Sequence, residues 1–249
     1  MCDFGEPQHP LERLDDLVIE GMKMWQRTDE FRFSQDAVLL AHFVSINKHR
    51  KYAELGSGTG AIPLLLSALG ATSVTGFEKN EVVANLAKRN VELNRKADKV
   101  QIFNEDYLAL PSSWNGVFDT VVANPPYFRG GTGAVSTHSG IAMALHEGET
   151  TLPKVVHAAA KLLRQGGSLC MIYHVSQWMY LEESLVAANF TVKRVRFVHS
   201  FLNKPAKMVL IEATLKGNPG LIVEAPLAIY KMDSKEYTDE IKGWYGRER

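Results

Sequence analysis

Cysteine is scarce in this chain of 249 residues: there are two, Cys2 and Cys170. No disulfide framework and no cysteine metal or redox motif can be drawn from them, and a reducing, cytoplasmic setting is expected. An excess of charge of either sign is also missing, with 28 Lys+Arg against 28 Asp+Glu. That balance excludes a protein that coats nucleic acid through bulk charge, although a local basic patch stays open. No apolar run is long enough to cross a bilayer. Met1 to His9 is polar where a secretory leader would carry an apolar stretch. Repeats and low-complexity segments are lacking, and the histidines have no metal-ligand spacing, so no metal is expected. Nothing in the sequence fixes an oligomeric state.

What is present is the composition of an ordinary globular protein, 45% hydrophobic and 22% charged. Strand and helix patterns alternate along most of it. Strands are expected at Lys51 to Leu55, Ser73 to Glu78, Val100 to Asn104, Phe118 to Ala123 and Ser168 to Tyr173. Helices are expected at Ala61 to Leu69, from Asn80 to about Asn94, from Thr151 to about Leu163 and within Gln177 to Ala188. Gly166-Gly167 is expected to end the third of these. Thr191 to His199 and Ala206 to Leu215 read as a hairpin. This alternation predicts one α/β domain over residues 1–249, a Rossmann-like three-layer sandwich whose mostly parallel sheet ends in an antiparallel C-terminal edge hairpin. Residues 17–46 read as a small hairpin and a helix, with Ser34 as N-cap, packed over a cofactor site. Residues 217–249 read as an appendage.

A glycine-rich turn, Glu54-Leu-Gly-Ser-Gly-Thr-Gly60, follows the first of these strands. Such a turn lets backbone approach a ligand and frees amide N–H groups at a helix start. Gly56, Gly58 and Gly60 are spaced G-x-G-x-G rather than as a dinucleotide fingerprint, and no lysine follows as in a P-loop. Glu78, twenty positions after Gly58, ends the second strand, with Lys79 beside it. A carboxylate there is placed to accept from ribose hydroxyls. Asp106 and Tyr107 follow the third strand, where a side chain can meet an adenine ring. A bare tight turn and a solvated strand end would look the same, but strand, turn, helix and acid together favour a cofactor site. Phe33, Gln35 and Asp36 stand before and at the start of the N-terminal helix, expected at Asp36 to Ile46. Asp36 reads equally as compensation of the helix dipole or as a contact to the cofactor's far end.

Asn124-Pro125-Pro126-Tyr127 ends the fourth strand. As a bare tetrapeptide it would be a turn. At the sheet edge where α/β proteins bind ligands, it is instead suited to a planar amine. The amide oxygen of Asn124 and a main-chain carbonyl of Pro125 or Pro126 can accept its two N–H bonds. Tyr127 can stack on it and Phe128 can back it. Methyl transfer from a sulfonium donor to such an amine is the reaction these two elements suggest, by positioning and electrostatics. Adenine N6 and a glutamine side-chain amide both present such a nitrogen. A cofactor-binding module without catalysis is a third reading.

These residues resemble the class I S-adenosylmethionine-dependent methyltransferases. Glu54 to Gly60 looks like their first motif, and Asn124 to Tyr127 looks like the N-P-P-Y motif of the branch that methylates amines. Phe31 to Asp36, His146-Glu147, Pro205-Ala206-Lys207 and Glu236-Tyr237-Thr238 extend the likeness to the bacterial tRNA(Val) adenine-N6-methyltransferase family. The resemblance implies a seven-stranded sheet, S-adenosylmethionine as donor, and the tRNA adenine next to the anticodon as acceptor. One position departs: Leu145 precedes His146-Glu147, where the family tends to carry an arginine. Between Lys193 and Ile211 there are five Lys/Arg and no acid. Arg194, Arg196, Lys204 and Lys207 are therefore candidates for RNA phosphates, against the ordinary alternative of a solvated charged edge. Arg129 lies in a long glycine-rich loop, Phe128 to Glu149, expected to cover the substrate.

Overall fold

The computed structural model describes residues 7–17, 19–28, 34–125 and 150–245. An antiparallel pair, β1 (Glu12–Asp16) and β2 (Lys23–Arg27), leads to α1 (Gln35–Phe43). Then come β3 (Tyr52–Leu55), α2 (Ala61–Ala68), β4 (Val74–Phe77), α3 (Glu81–Leu93), β5 (Val100–Phe103) and β6 (Phe118–Ala123). They are followed by α4 (Leu152–Leu162), β7 (Leu163–His174), α5 (Trp178–Ala187), β8 (Phe190–His199) and β9 (Ala206–Leu215). Two short strands, β10 (Ile222–Val223) and β11 (Leu227–Ala228), and α6 (Asp239–Trp244) complete the described chain.

The main sheet runs β10-β8-β9-β7-β6-β3-β4-β5, with β11 also on β8. Its seven long strands are parallel except β9, which is antiparallel to both β7 and β8. β3 and β4 are buried on both faces, as helix-covered parallel strands must be. One core, built on α1, α2 and α3, includes Tyr52, Val122, Cys170 and Ile172. The other, under α4 and α5, includes Ala53, Val121, Met171 and Tyr173. Alternate residues of each strand thus feed opposite cores.

Three expectations change. The N-terminal hairpin spans Glu12–Arg27, and Leu17 lies in its turn, where Leu17 N donates to Met22 O at 2.9 Å. β1, Glu-Arg-Leu-Asp-Asp, is too charged to show as a strand, but its charges are paired: Glu12 takes Arg89 of α3 at 2.7 Å. Gly166-Gly167 does not end a helix. α4 stops at Leu162 and β7 begins at once, with Gly166 at φ +76° in a bulge where β6 advances from Phe118 to Thr120 while β7 advances from Leu163 to Ser168. Ser34 occupies the N-cap position of α1 but makes no side-chain capping bond, whereas Asn80 caps α3 by accepting from Val82 N and Val83 N. Among the described residues no helix is long and apolar enough to cross a membrane, and no cluster of three or more His, Cys, Asp or Glu is placed to hold a metal.

Candidate active site at the strand tips

β3, β4, β5 and β6 are parallel, so their C-terminal tips share one edge of the sheet. The turn after β3 holds Gly56, Gly58 and Gly60 at φ +71°, +51° and +88°. A side chain is strained in that region, which is why glycine stands there. Gly56 N and Ser57 N both donate to Phe77 O at 2.9 Å, pinning the turn to the end of β4. Gly60 is the N-cap of α2, and a Cβ on it would come 3.4 Å from that of Ala87. A Cβ on Gly58 would meet nothing within 4 Å, so the space over the turn is open. Gly76, inside an apolar strand, carried no signal of its own. Its missing Cβ would lie 2.7 Å from Ile102 Cδ1 and 2.8 Å from Ser57 Cβ, so glycine at this point of β4 lets the turn settle onto the sheet.

Two carboxyl groups sit beneath and beside the turn. Glu78 accepts from Gly58 N at 3.0 Å through Oε2 and from Asn80 N at 2.9 Å through Oε1. Each oxygen keeps a second lone-pair site for a ligand. Glu54 is 3% exposed, and its Oε2 has no hydrogen-bond partner. Burial, and then the charge of Glu78, push its carboxyl well above the usual range. A buried, orphaned acceptor under an open glycine turn fits a ligand with donors or positive charge.

The other expected cofactor residues are distributed around this edge. Lys79 is exposed, and its carbonyl accepts from Asn104 Nδ2 at 3.0 Å. Asp106 accepts from Leu108 N at 2.9 Å. The Tyr107 ring lies 3.8 Å from where a Cβ on Gly56 would be. Burial first, and then Asp106, push its hydroxyl up to about 12. Gln35 opens α1 with Nε2 buried and unpartnered, and Asp36 stands in the same first turn. Phe33 lies outside the described residues.

β6 pairs with β3 so that Ala123 is opposite Leu55. Asn124 therefore leaves the tip of β6 beside the tip of β3, where the Gly56–Gly60 turn begins. Pro125 is buried. Pro126, Tyr127, Phe128, Arg129, Leu145 and His146-Glu147 lie outside the described residues, as does the expected loop up to Glu149. His174, which sequence reasoning passed over, ends the neighbouring strand β7 and holds Ser176 Oγ at 2.7 Å through Nδ1. A polar residue closing an apolar strand was the one available signal.

Asn90 was also missed. This fully buried residue of α3 accepts from Trp25 N at 2.7 Å and donates to Trp25 O at 2.9 Å and to Thr59 O at 3.0 Å. It joins the N-terminal hairpin to the glycine turn. Its helical position made it look like one more polar residue.

The basic hairpin divides into two parts. Arg194 bonds Glu212 (2.7 Å), Glu224 (2.9 Å) and the carbonyl of Phe43 (2.7 Å), with its guanidinium 4.0 Å over the Phe43 ring. Arg196 bonds Glu240 at 2.6 Å and the carbonyl of Ala225 at 3.0 Å. Both arginines are engaged with the body of the protein. Lys204 and Lys207 are exposed, and no described side chain pairs with their ammonium groups.

A doubly covered sheet, with a glycine turn after its first long strand and an acid at the next strand tip, defines a Rossmann-like methyltransferase. The chain belongs to the methyltransferase small domain family, whose model matches residues 32–198. Similar curated proteins include the tRNA1(Val) (adenine(37)-N6)-methyltransferase of Histophilus somni strain 2336, 25% identical over 213 residues that make up 83% of this chain and 85% of that one. The protein of the same name from Trichodesmium erythraeum is 27% identical over 187 residues, 74% and 77% of the two chains. That from Bacteroides thetaiotaomicron is 27% identical over 151 residues, 60% of this chain and 62% of its own. Among solved structures, the predicted O-methyltransferase Atu636 of Agrobacterium tumefaciens superposes with a TM-score of 0.67 at 21% identity, covering 85% and 96% of the two chains. TYW2 of M. jannaschii, solved with AdoMet, gives 0.56 at 15% identity over 84% and 88%. At those identities the likeness is one of fold.

Proposed function

We propose that this protein is an S-adenosylmethionine-dependent enzyme that methylates the exocyclic N6 of an adenine in tRNA, the base next to the anticodon of tRNA(Val), in the cytoplasm. The observation that supports the reading is the β3–β6 register, which ends with Leu55 opposite Ala123, so that the glycine turn and Asn124 leave adjacent strand tips. A donor held over the glycine turn and an amine held at Asn124 are then neighbours. The names of the relatives support tRNA as acceptor.

S-adenosylmethionine, when bound, supplies an electrophilic methyl group on a sulfonium. Glu78 receives the ribose hydroxyls on its remaining lone pairs, with Asp106 and Tyr107 at the adenine and Lys79 at the rim. The amides of the Gly56–Gly60 turn, Glu54 beneath it, and Phe33, Gln35 and Asp36 receive the methionine end. The adenine amine is a poor nucleophile because its lone pair is delocalised into the ring. Asn124 Oδ1 accepts one N–H, and the carbonyl of Pro125 or Pro126 accepts the other. Held so, the nitrogen pyramidalises and turns its lone pair toward the methyl carbon. The N–C bond would form from that pair as the C–S bond breaks and leaves its electrons on the sulfur, and one amine proton would then pass to water. Tyr127 and Phe128 stack on the base, and Arg129 approaches its phosphate. The chain acts as one domain, with its N-terminal hairpin and α1 on the donor side.

Incubation with methyl-labelled donor and unmodified tRNA tests the proposal. Label is expected in N6-methyladenosine. Label in protein would instead establish glutamine amide methylation, and donor binding with no labelled product in RNA or protein would leave a non-catalytic module.

A further inference from the structure

The turn between β8 and β9 lies at the same end of the sheet as Asn124, because β8 runs parallel to β6 and β7. The strands it joins are the second and third from β6, about 10 to 14 Å across the sheet. From this turn a file of aromatic rings runs back along the protein. Phe201 meets Tyr230 at 5.6 Å, Tyr230 stacks on Tyr237 at 5.4 Å, and Tyr237 stacks on Tyr245 at 5.3 Å. Trp244, next to Tyr245, is stacked on His42 of α1 at 4.7 Å. Tyr230, Tyr237 and Tyr245 pack against the core shared by α1, α2 and α3. Val122 belongs to that core, so Asn124, two residues on, continues the same face of β6.

The file is anchored at one end and open at the other. All four rings are half-buried rather than enclosed, and Phe201 is the outermost. Leu202 beside it is 55% exposed. Lys204 and Lys207 flank it without described side-chain partners, while deeper in the hairpin Arg194 and Arg196 are neutralised by Glu212, Glu224 and Glu240 and Lys193 is held by the carbonyls of Asn218 and Pro219. Among the described residues of the hairpin, the tip presents unpaired positive charge next to an aromatic face. That pairing fits a polyanion with planar rings, a single strand of nucleic acid. An acidic peptide would use the lysines and leave the ring without a stacking partner.

We propose that the β8–β9 turn is the clamp for the RNA strand beside the reacting adenine, with a neighbouring base stacked on Phe201 and its phosphates at Lys204 and Lys207. The inference rests on the RNA reading above and adds where the strand is held.

The test uses the full chain and an anticodon stem-loop RNA carrying 2-aminopurine beside the target adenine. Fluorescence quenching on binding is expected for the wild type and for Phe201→Trp, and it should be lost in Phe201→Leu, which keeps apolar contact with Tyr230 but removes the ring. RNA affinity should fall about tenfold in Phe201→Leu. The double substitution Lys204→Ala with Lys207→Ala should lower the slope of log affinity against log salt by roughly 1.4, two single-strand phosphate contacts. Donor binding and thermal melting, measured on the same samples, should stay at wild-type values in the lysine variant. Unchanged quenching and affinity in Phe201→Leu, with a wild type that methylates the RNA, would overturn the clamp and spare the methylation reading. A wild type that neither binds nor methylates the RNA would overturn both.

Discussion

The donor side and the acceptor side of the sheet edge are built by different means. On the donor side, backbone does most of the shaping. Three glycines at positive φ make the turn, two amides pin it to Phe77, and Gly58 N and Asn80 N hold Glu78. The acceptor side, as proposed, is made of side chains: Asn124, the lysines of the β8–β9 turn, and a file of rings reaching back to α1. A backbone cradle is set once the chain folds. A side-chain surface is tuned residue by residue, so donor binding and acceptor use should respond to different substitutions.

The largest expected separation is at Asn124. Asn124→Ala should lower turnover by about a hundredfold or more, as when a key electrostatic contact is removed, while donor affinity by calorimetry stays near wild type. Parallel losses in both would erase the distinction between the sides. Arg194→Ala should lower stability in urea by about 2–3 kcal/mol, because Glu212 and Glu224 lose their counter-charge. That is less than for a wholly buried pair, since these side chains keep 18% and 29% of their exposure. Lys204→Ala, on the same hairpin, should change stability by less than about 0.5 kcal/mol. Comparable losses for the two would mean the hairpin is not divided as described. Gly76→Ala should cost roughly 1–3 kcal/mol by overpacking against Ile102 and Ser57. Through the displaced turn it should weaken donor binding before it affects RNA binding.

The smallest effects are in pH. Glu54, on the donor side, has its carboxyl pushed up in the folded state, so the native protein holds that proton more tightly than the unfolded chain does. The stability this gives is complete below pH 4.5 and is lost as pH rises toward the folded value. Glu54→Gln should therefore gain on the wild type as pH increases. His42, under the ring file, is pushed down by burial from 6.5 to about 4. Its contribution is present above 6.5 and is lost as pH falls through about 4, on the order of 1–2 kcal/mol after allowance for its partial exposure. Melting temperatures of Glu54→Gln and His42→Phe between pH 4 and 8 should diverge from the wild type in opposite directions. Curves with the same slope would show that burial acts alike on the two sides.

The sequence was most legible where one residue type answers a demand of the backbone. Gly56, Gly58 and Gly60 occupy left-handed conformations, Asn80 caps α3, and Asn124 follows the apolar end, Val121 to Ala123, of a strand. Each can be read without knowing what lies across the fold. Arg194 could not, because its carboxylates are 18 and 30 positions away and only the sheet and the C-terminal segment bring them to it. A long side chain chooses among partners that sequence distance hides. β1 was hidden for a related reason, since its charges, which argue against a strand, are answered by Arg89 of α3. Gly166 misled in another way. A positive φ ends helices and also makes bulges, and composition does not distinguish the two.

The buried amide of Asn90 has one more consequence. A single side chain serves as the rivet for the ribbon formed by the first two strands and for the loop carrying Thr59. Whatever peels that ribbon away, whether proteolysis, a partner or a truncation, takes two of the three bonds that fix the Asn90 amide and leaves it less firmly set against the loop's carbonyl. The outermost stretch of the chain is in this sense a remote control on how tightly the methyl donor is held.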